Sequence, residues 1–399
     1  MNHKPFFAAG IDTGASRTRC VLCRMDGSHV HFLGAGSVPS LGWEKSRIVD
    51  QQAVSRCVLE AVQQAEAMAN AQIETITAGF GGITARGADA HGKTDFGRPR
   101  EIEQRDVNRV MKSVQRVALA EDRMVLQLLT QDFVVDDQAG YRDPRKALGA
   151  VLEANAHAIV VSTMEHNALV GAINQSHLSV DETVFEAFAA CYAAGLPENR
   201  PEGIALLDIG AQSSELVVYY GNALQLASTL GLGGDYFTAD LAHFLRVSFA
   251  DAEEVKEQFG SVIPESTTET SVVELPVREG QAPREASRWK IDEVLQSRAH
   301  HLFALIQREL ERVGMEHALT GGLVLTGGGS LLHGLLEMAE QELHCPAWRG
   351  LPRGIVGWPD DLKDPAWTTA AGLAKYSARL RTQVDLERQS IGLLGRILQ

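Results

Sequence analysis

The chain has 399 residues, enough for two or three domains with a large buried core. Its formal net charge is −14 and it has no cluster of basic residues, so a nucleic-acid backbone is not expected as its main partner. Hydrophobic residues make up 45% of the chain, but no apolar run reaches the length of about 20 residues that a membrane-spanning helix needs.

The first residues, 1–5, are too short and polar for a signal peptide, so the chain is expected to stay in the cytoplasm. Its five cysteines are an odd number without regular spacing, which indicates reduced thiols. Cys20 and Cys23 lie three positions apart in a predicted strand, where their side chains face opposite sides of the sheet. A metal or redox site at these two residues is therefore not expected.

The first motif is a glycine turn between two predicted strands. An apolar strand over residues 6–10 leads to an aspartate, and a second strand follows the turn. Backbone N–H groups in such a turn can surround a terminal phosphate, while a carboxylate at the strand end can hold the water shell of Mg²⁺. The same pattern is typical of ordinary hairpins. The candidate residues of this motif are Asp12, Gly14, Ala15, Ser16 and Arg17.

Helix and strand patterns come next, and they enclose a separate subdomain over residues 83–161. Apolar residues at helical spacing, from Val54 to Met68, predict a core-facing helix over 50–70. The glycines that end the following strand are interpreted as a domain exit, because no helix N-terminus follows them. The remaining predicted elements are a helix near 103–120, strands over 125–135 and 150–161, a helix over 165–175, a strand over 178–184 and a helix over 185–194.

A second copy of the first motif follows this region. It again has an apolar strand, an aspartate, a glycine turn and a β-branched strand, and its turn residues are Asp208, Gly210, Ala211 and Gln212. Two related hairpins can approach one ligand from opposite sides. Farther along the chain, three residues are expected to offer more backbone donors toward a phosphate: Gly233, Gly234 and Asp235.

The third motif is an apolar strand, Gly322–Thr326, that runs into Gly327, Gly328 and Gly329. Consecutive glycines let a backbone approach a ligand closely, and a helix N-terminus favours phosphate. Ser330 is expected to be the N-cap of an amphipathic helix that begins directly after the glycines. Together with the two hairpins, this turn predicts a nucleotide-binding protein.

The C-terminal region is predicted to contain a closing helix, a linker and an amphipathic helix over residues 366–378, 379–389 and 390–399. On a helical wheel the apolar side chains of the last helix lie on one side: Ile391, Leu393, Leu394, Ile397 and Leu398. This pattern is typical of a helix at a membrane interface, and docking on the chain's own domain is the alternative. Many copies in a filament would multiply the weak affinity of one tail.

The order of these motifs resembles the superfamily of actin, sugar kinases and heat-shock chaperone ATPases. Within it the chain resembles FtsA, the actin-like family of bacterial cell division, along nearly its full length. The resemblance implies an α/β, actin-like two-domain ATPase fold with an FtsA-type inserted subdomain. The most family-specific stretch comprises 131–136, 143–144, 148–149, 152–153 and His157, and the runs 233–242 and 252–256 also match the family.

The resemblance also implies a domain organisation with two cores, two insertions and a tail. The implied parts are a first-domain core over 1–82, 162–195 and 366–378, the inserted subdomain over 83–161, a second-domain core over 196–235 and 314–365, a purine-side insertion over 236–313, the linker over 379–389 and a membrane-targeting helix over 390–399.

Several roles are implied by the resemblance for residues near the nucleotide. Glu186 takes the position that orients the attacking water, although an acid in the first turn of a helix also complements the helix dipole. Glu253 and Lys256 are similar to the pair that brackets adenine and ribose, although this spacing also gives surface ion pairs. Asp12 and Asp208 would hold Mg²⁺ through water, so the implied cofactors are ATP and Mg²⁺.

The function implied by the family is a peripheral protein on the cytoplasmic face of the cell membrane. It would bind ATP, polymerise with itself and tether the tubulin-like division ring protein by its C-terminal peptide, and it would contact later division proteins. Two departures make fast hydrolysis unexpected: Arg17 replaces the usual lysine, and Gly210-Ala211-Gln212 replaces successive glycines.

Two alternatives remain at this point. A PilM-type soluble adaptor of a pilus or secretion assembly has the same kind of insertion, but it has no use for an amphipathic tail. A small-molecule kinase would need an acid near the γ-phosphate to deprotonate an acceptor hydroxyl, and the sequence offers no clear candidate.

Overall fold

The computed structural model describes residues 6–115, 119–196, 201–264, 268, 270–276 and 284–397, with the side chains of 383–397 outside the description. The fold is α/β, as the sequence predicts, and it has two large sheets, of five and nine strands. No helix in the described ranges is both long enough and apolar enough to cross a bilayer.

The chain begins with a strand meander that is followed by one helix and one strand. These elements are β1 (Phe6–Thr13), β2 (Arg17–Asp26), β3 (His29–Pro39), β4 (Trp43–Glu44), β5 (Arg47–Ile48), α1 (Gln51–Ala69) and β6 (Thr75–Phe80). The predicted helix is confirmed, since Asp50 caps α1 by accepting a hydrogen bond from the backbone N–H of Ala53 at 3.0 Å and Asn70 ends it in the left-handed conformation. Met68 was predicted to face the core but is 58% exposed.

The insertion is an antiparallel sheet with one helix packed on it. It contains β7 (Arg86–Glu101), α2 (Gln104–Val114), β8 (Arg123–Val135), β9 (Gln138–Tyr141) and β10 (Leu148–Ser162). β10 pairs with both β7 and β8. Glu103 and Asp106 form a capping box at the start of α2, and Val110 and Val114 are buried on its inner face.

The chain then returns to the first sheet through α3 (Thr163–Gln175), β11 (Ser179–Phe185) and α4 (Glu186–Ala193). β11 completes the five-stranded sheet, whose order is β11-β6-β1-β2-β3. β1 runs parallel to β6 and antiparallel to β2, so the Asp12 end of β1 lies near the end of β6 and the start of β2.

The second half repeats the strand meander and then adds helices. Its elements are β12 (Ile204–Ile209), β13 (Ser214–Tyr220), β14 (Ala223–Leu230), α5 (Gly234–Leu245), α6 (Phe249–Phe259), β15 (Val272–Glu274), β16 (Glu285–Ser287), α7 (Arg288–Arg312), β17 (Gly322–Thr326), α8 (Leu335–Leu343), β18 (Ala347–Arg349) and α9 (Thr368–Ile397). The sheet order is β18-β17-β12-β13-β14-β7-β10-β8-β9, so the insertion continues the second-half sheet through the pair Ser228 and Arg86.

The predicted linker over 379–389 is wrong, because α9 is continuous from Thr368 to Ile397. This stretch has no glycine or proline and is rich in residues that favour helix. Arg381 also fixes it to the first sheet by donating to the Phe7 carbonyl at 2.8 Å and to Asp181. The amphipathic face proposed for Ile391, Leu393, Leu394, Ile397 and Leu398 lies outside the described side chains and stays a prediction.

Helix α9 packs directly on β1 at Gly10. A Cβ atom at this position would lie 2.4 Å from the backbone nitrogen of Ala374, which is closer than packed atoms can approach. We expect Gly10→Val to lower the free energy of unfolding by about 1–3 kcal/mol or more, because α9 must move off the sheet. Urea denaturation measures this change.

The matched control is Gly171→Ala, in the middle of α3. A Cβ atom there would come no closer than 3.6 Å to another group, the Gln51 side chain. Alanine favours helix over glycine by about 0.8–1 kcal/mol. This variant should therefore be slightly more stable than the wild type, and a loss of stability comparable with that of Gly10→Val would contradict the packing argument.

Candidate functional site

A cleft of about 640 Å³ lies between the first hairpin, the second hairpin and the glycine turn. This volume is within the range of small-molecule sites, which is about 300–1,000 Å³. The predicted site residues that line it are Asp12, Gly14, Ala15, Ser16, Arg17, Glu186, Asp208, Gly210, Ala211, Gln212, Gly234, Asp235, Glu253, Lys256, Gly327, Gly328 and Gly329. The structure thus brings together residues from all three sequence motifs.

The first hairpin places a buried carboxyl group at the bottom of the cleft. Asp12 lies opposite Arg19 in the register of β1 and β2, so both side chains emerge on the same face of the hairpin. Burial raises the pKa of Asp12 to about 7, and the charge of Asp208 adds to the rise. Arg19 and the backbone N–H of Gly14 partly oppose it.

The second hairpin provides a matching carboxyl group at the end of β12. Burial raises the pKa of Asp208, while the hydrogen bond from Thr369 and the positive charge of Arg19 act to lower it. The Thr369 hydroxyl, from the first turn of α9, donates to the Asp208 carboxylate at 2.5 Å. This contact links the closing helix of the first half to the second hairpin.

Two of the three backbone donors expected after the second hairpin are already occupied. The N–H of Gly234 donates to the Gly210 carbonyl at 2.9 Å, and the N–H of Asp235 donates to the Ala211 carbonyl at 2.8 Å. Gly233 is not among the cleft-lining residues; a Cβ atom on it would lie 2.5 Å from the Ala211 carbonyl oxygen. The prediction of free phosphate donors is therefore wrong for Gly234 and Asp235, because these two amides fix α5 against the hairpin instead.

The glycine turn lies beside Asp208. Gly327 has φ +79°, and a Cβ atom on it would lie 2.2 Å from a carboxylate oxygen of Asp208, so only glycine fits here. The helix predicted to begin at Ser330 does not begin there. Residues Gly328–Leu331 form a short helical turn in which the Ser330 hydroxyl donates to the Gly327 carbonyl at 2.7 Å, and α8 starts at Leu335.

Helix α6 provides the wall of the cleft beyond α5. Lys256 forms an ion pair with Glu253 at 2.7 Å and also donates to the Thr238 hydroxyl at 2.8 Å. Only 12% of the Lys256 side chain is exposed. The pair is therefore more than a solvated surface contact, because it joins α6 to α5 at the edge of the cleft.

Two further acids lie together on the inner wall. Glu186 begins α4, while Glu215 lies on β13 and accepts a hydrogen bond from the Ala187 N–H at 2.9 Å. A Cβ atom on Gly81 would lie 2.1 Å from a Glu186 oxygen and 2.6 Å from a Glu215 oxygen, so both carboxyl groups contact this glycine. Burial, followed by the charge of Glu215, raises the pKa of Glu186 well above its ordinary value. Burial and the charge of Asp208 do the same for Glu215.

Sequence reasoning missed Glu215 and Gly81. Glu215 interrupts an otherwise apolar strand directly after the second turn, which is a usable signal for a buried functional acid. Gly81 was interpreted only as part of a domain exit, but it also lines the cleft.

A small hairpin formed by β4 and β5 was also missed, and it covers part of the cleft. The backbone N–H of Ser46 donates to the Gln212 side chain at 2.6 Å, which links the first half to the second hairpin. Gln212 is in turn hydrogen-bonded to Asp235. Trp43 Nε1 and Ser46 Oγ are enclosed without a hydrogen-bond partner in the described part of the chain. The strands have two residues each, so no periodicity in the sequence predicts them.

The donor set fits Mg²⁺ held through water. Asp12 and Asp208 are both buried acids, and the negative charge of Asp208 raises the pKa of Asp12. A cation between the two carboxylates would relieve this repulsion. Within the described ranges, no three Asp, Glu, His or Cys side chains lie close enough together to form a direct metal cage.

Two family models match the chain. The model described as cell division protein FtsA matches residues 205–372, which include the second hairpin and the glycine turn. The model described as the SHS2 domain inserted in FtsA matches residues 82–160, which correspond closely to the sheet of β7–β10.

Curated relatives match over nearly the whole chain. The cell division protein FtsA of Pseudomonas aeruginosa is 30% identical over 386 residues, covering 96% of this chain and 90% of the relative. The FtsA of Bacillus subtilis is 27% identical over 381 residues, covering 95% of this chain and 85% of the relative.

Solved structures with the same fold include actin-like proteins. The PilM–PilN type IV pilus biogenesis complex contains a chain with a TM-score of 0.67, 16% identity and coverage of 93% of this chain and 98% of its own. MreB5 of Spiroplasma citri bound to ADP has a TM-score of 0.57 and 13% identity, and the match covers 96% of this chain and 98% of the MreB5 chain. At these identities the likeness shows the actin-like fold alone.

Proposed function

Because the chain belongs to the FtsA family of bacterial cell division proteins, we propose that it binds ATP and Mg²⁺, polymerises, and tethers the tubulin-like division ring to the cytoplasmic membrane. The observation that carries this proposal is the convergence of two Asp-Gly hairpins and a glycine turn on one cleft of about 640 Å³. Such turns suit phosphate because their backbone N–H groups form a concave donor set.

In this proposal Asp12 and Asp208 hold Mg²⁺ through water, and the bound cation neutralises phosphate charge. The turn from Gly14 to Arg17 and the turn from Gly210 to Gln212 approach the phosphates from opposite sides. The gap between α6 and the glycine turn, near Lys256 and Gly327, takes the nucleoside. Glu186 positions the attacking water.

Hydrolysis in this site is weak at most. A general base must be ionised to accept a proton, and Glu186 has a pKa raised well above its ordinary value by burial and by Glu215. The raised pKa lowers the ionised fraction of Glu186 below that of an ordinary glutamate at the same pH, which disfavours its action as a base. A long-lived ATP state suits a filament-forming tether.

The membrane and partner roles rest on the tail and on the second half. The apolar side chains predicted on one face of residues 390–399 would insert at the lipid interface, and filament formation would add the weak affinities of many tails. The second half would bind the C-terminal peptide of the ring protein, the insertion would contact neighbouring subunits and later division proteins, and the protein would lie on the cytoplasmic face of the membrane.

Vesicle co-sedimentation tests this proposal. With Mg²⁺-ATP and vesicles that contain anionic lipid, the intact chain should pellet, while a chain ending at Gln389 should stay mostly in the supernatant. Leu394→Asp should behave like the truncation because it places a charge in the apolar face, and Gln399→Glu, on the opposite face, should pellet like the wild type.

Equal pelleting of the intact and truncated chains would overturn the membrane role. It would favour the soluble, pilus-type adaptor. Light scattering on the same samples without vesicles tests polymerisation separately, since filaments should scatter with ATP and not without it.

A further inference from the structure

Strand β2 begins with two arginines that both line the cleft but have different surroundings. The guanidinium of Arg17 is tied back to β3, where Nε donates to Ser37 Oγ at 2.9 Å and Nη2 donates to the Ser37 carbonyl at 3.3 Å. Two of its donor groups are therefore engaged with the protein. Arg17 is the residue that replaces the family's usual lysine, yet its bonds to Ser37 compete with a ligand for these donors.

Arg19 is held by different forces. It lies opposite Asp12 in the hairpin register, and its positive charge interacts with the negative charges of Asp12, Asp364 and Asp208. Its guanidinium carbon lies 5.7 Å from the centre of the Trp367 ring, which can support the flat face of the group. In the described part of the chain its guanidinium forms no hydrogen bond and no ion pair within 4.0 Å.

The other basic side chains at the cleft have partners. Lys256 is bonded to Glu253, and Arg288 donates to the Phe259 carbonyl at 3.2 Å. Arg19 is thus the cleft-lining guanidinium or ammonium group, among the described residues, whose donors are all unused. An arginine remains charged even when partly buried, so these donors stay available to an anion.

The buried acids would repel a polyphosphate unless a cation compensates. Asp12, Asp208, Glu186 and Glu215 all face this cleft. The planar guanidinium has paired N–H groups that match two phosphate oxygens, and its charge would offset part of the repulsion.

We propose that Arg19, rather than Arg17, binds the polyphosphate of the nucleotide in this cleft and supplies part of the charge compensation that Mg²⁺ otherwise provides. The ligand class is a nucleoside di- or triphosphate, and this inference rests on the proposed function. Trp367 and the register with Asp12 fix the guanidinium before the ligand arrives, so little ordering is needed on binding.

The two arginines supply a matched pair of variants. Arg19→Ala should weaken ATP binding by about 10- to 100-fold, the range expected for a lost charge-assisted hydrogen bond, and by more than Arg17→Ala does. The control is Arg24→Ala, at an exposed arginine farther along β2 and outside the cleft, which should remain within about threefold of the wild type. Arg19→Gln keeps the size of the side chain and should lose affinity similarly. Calorimetric titration with ATP, in Mg²⁺ and again in EDTA, measures these changes. Removal of Mg²⁺ should lower the ATP affinity of Arg19→Ala by a larger factor than that of the wild type.

Inorganic tripolyphosphate separates this inference from the proposed function. If the wild type binds ATP but Arg19→Ala and Arg19→Gln bind it equally well, while thermal unfolding shows all three folded, the inference is overturned and ATP binding stands. If the wild type binds tripolyphosphate in an Arg19-dependent way but has no preference for ATP, the inference stands and the nucleotide function falls. The assignment of Arg19 to the polyphosphate would be overturned if Arg17→Ala lost more ATP affinity than Arg19→Ala. It would also be overturned if the wild type bound neither ATP nor tripolyphosphate.

Discussion

Asp12→Asn is expected to weaken Mg²⁺-dependent ATP binding by about 100-fold while making the ligand-free protein more stable at neutral pH. Asparagine keeps the shape of the side chain but removes the charge that would hold the hydrated cation. The loss of affinity should disappear in EDTA, because both proteins then bind ATP without the metal. Titration calorimetry in both buffers measures the difference.

The gain in stability follows from the pKa of Asp12, which burial raises to about 7. In the unfolded chain an aspartate ionises near pH 3.9, so between about pH 4 and pH 7 the unfolded state loses a proton that the folded state keeps. The free energy of unfolding of the wild type therefore falls as pH rises through this window. By pH 8 the cost is a few kcal/mol, at about 1.4 kcal/mol for each unit of pKa.

Asp12→Asn removes this cost, so its stability should change less between pH 5 and pH 8 than that of the wild type. The control is Asp26→Asn, at the exposed end of β2 beside the turn to β3, which should leave both ATP affinity and stability within experimental error. Urea denaturation at the two pH values gives the comparison. A variant that is less stable than the wild type at pH 8 would show that Asp12 supports the fold through its charge, contrary to this account.

Local signals account for what could be predicted from the sequence. The first hairpin, the second hairpin and the glycine turn each place glycine after an apolar strand, and a turn of this kind depends on neighbouring residues only. Helix α1 has its N-cap at Asp50 and its left-handed end at Asn70, so its bounds could be predicted to within a residue. The order of the motifs then predicted that they share one cleft.

The features that were missed depend on contacts between distant segments. Arg19 resembles any arginine in an exposed strand until β1 places it opposite Asp12. The contact between Ser46 and Gln212 joins residues that are 166 positions apart. The amides of Gly234 and Asp235 look free in the sequence, and only the return of α5 to the second hairpin occupies them. Likewise, the polar stretch after residue 378 resembles a linker until Arg381 is seen to bind the first sheet.

Glu186→Gln is expected to lower any ATP hydrolysis by about 100-fold or more, with little change in ATP affinity. The neutral amide can still occupy the space beside Gly81, but it cannot accept a proton from water. For the wild type, the rate should rise with pH above the ordinary pKa of a glutamate, since burial and Glu215 raise the pKa of Glu186 and a rising fraction becomes ionised. Phosphate release at several pH values, with saturating Mg²⁺-ATP, measures this dependence.

Glu215→Gln provides the opposite test on the same pair. Its amide oxygen can still accept the hydrogen bond from the Ala187 N–H, but the variant removes the charge that raises the pKa of Glu186. Glu186 is then ionised at a lower pH, so hydrolysis at neutral pH should be faster than in the wild type and the pH profile should move toward acid. If both variants slow hydrolysis equally and without a change in the profile, the two acids act through structure alone. Opposite effects would mean that the coupled pair keeps the ATP state long-lived by retaining a proton where hydrolysis needs a base.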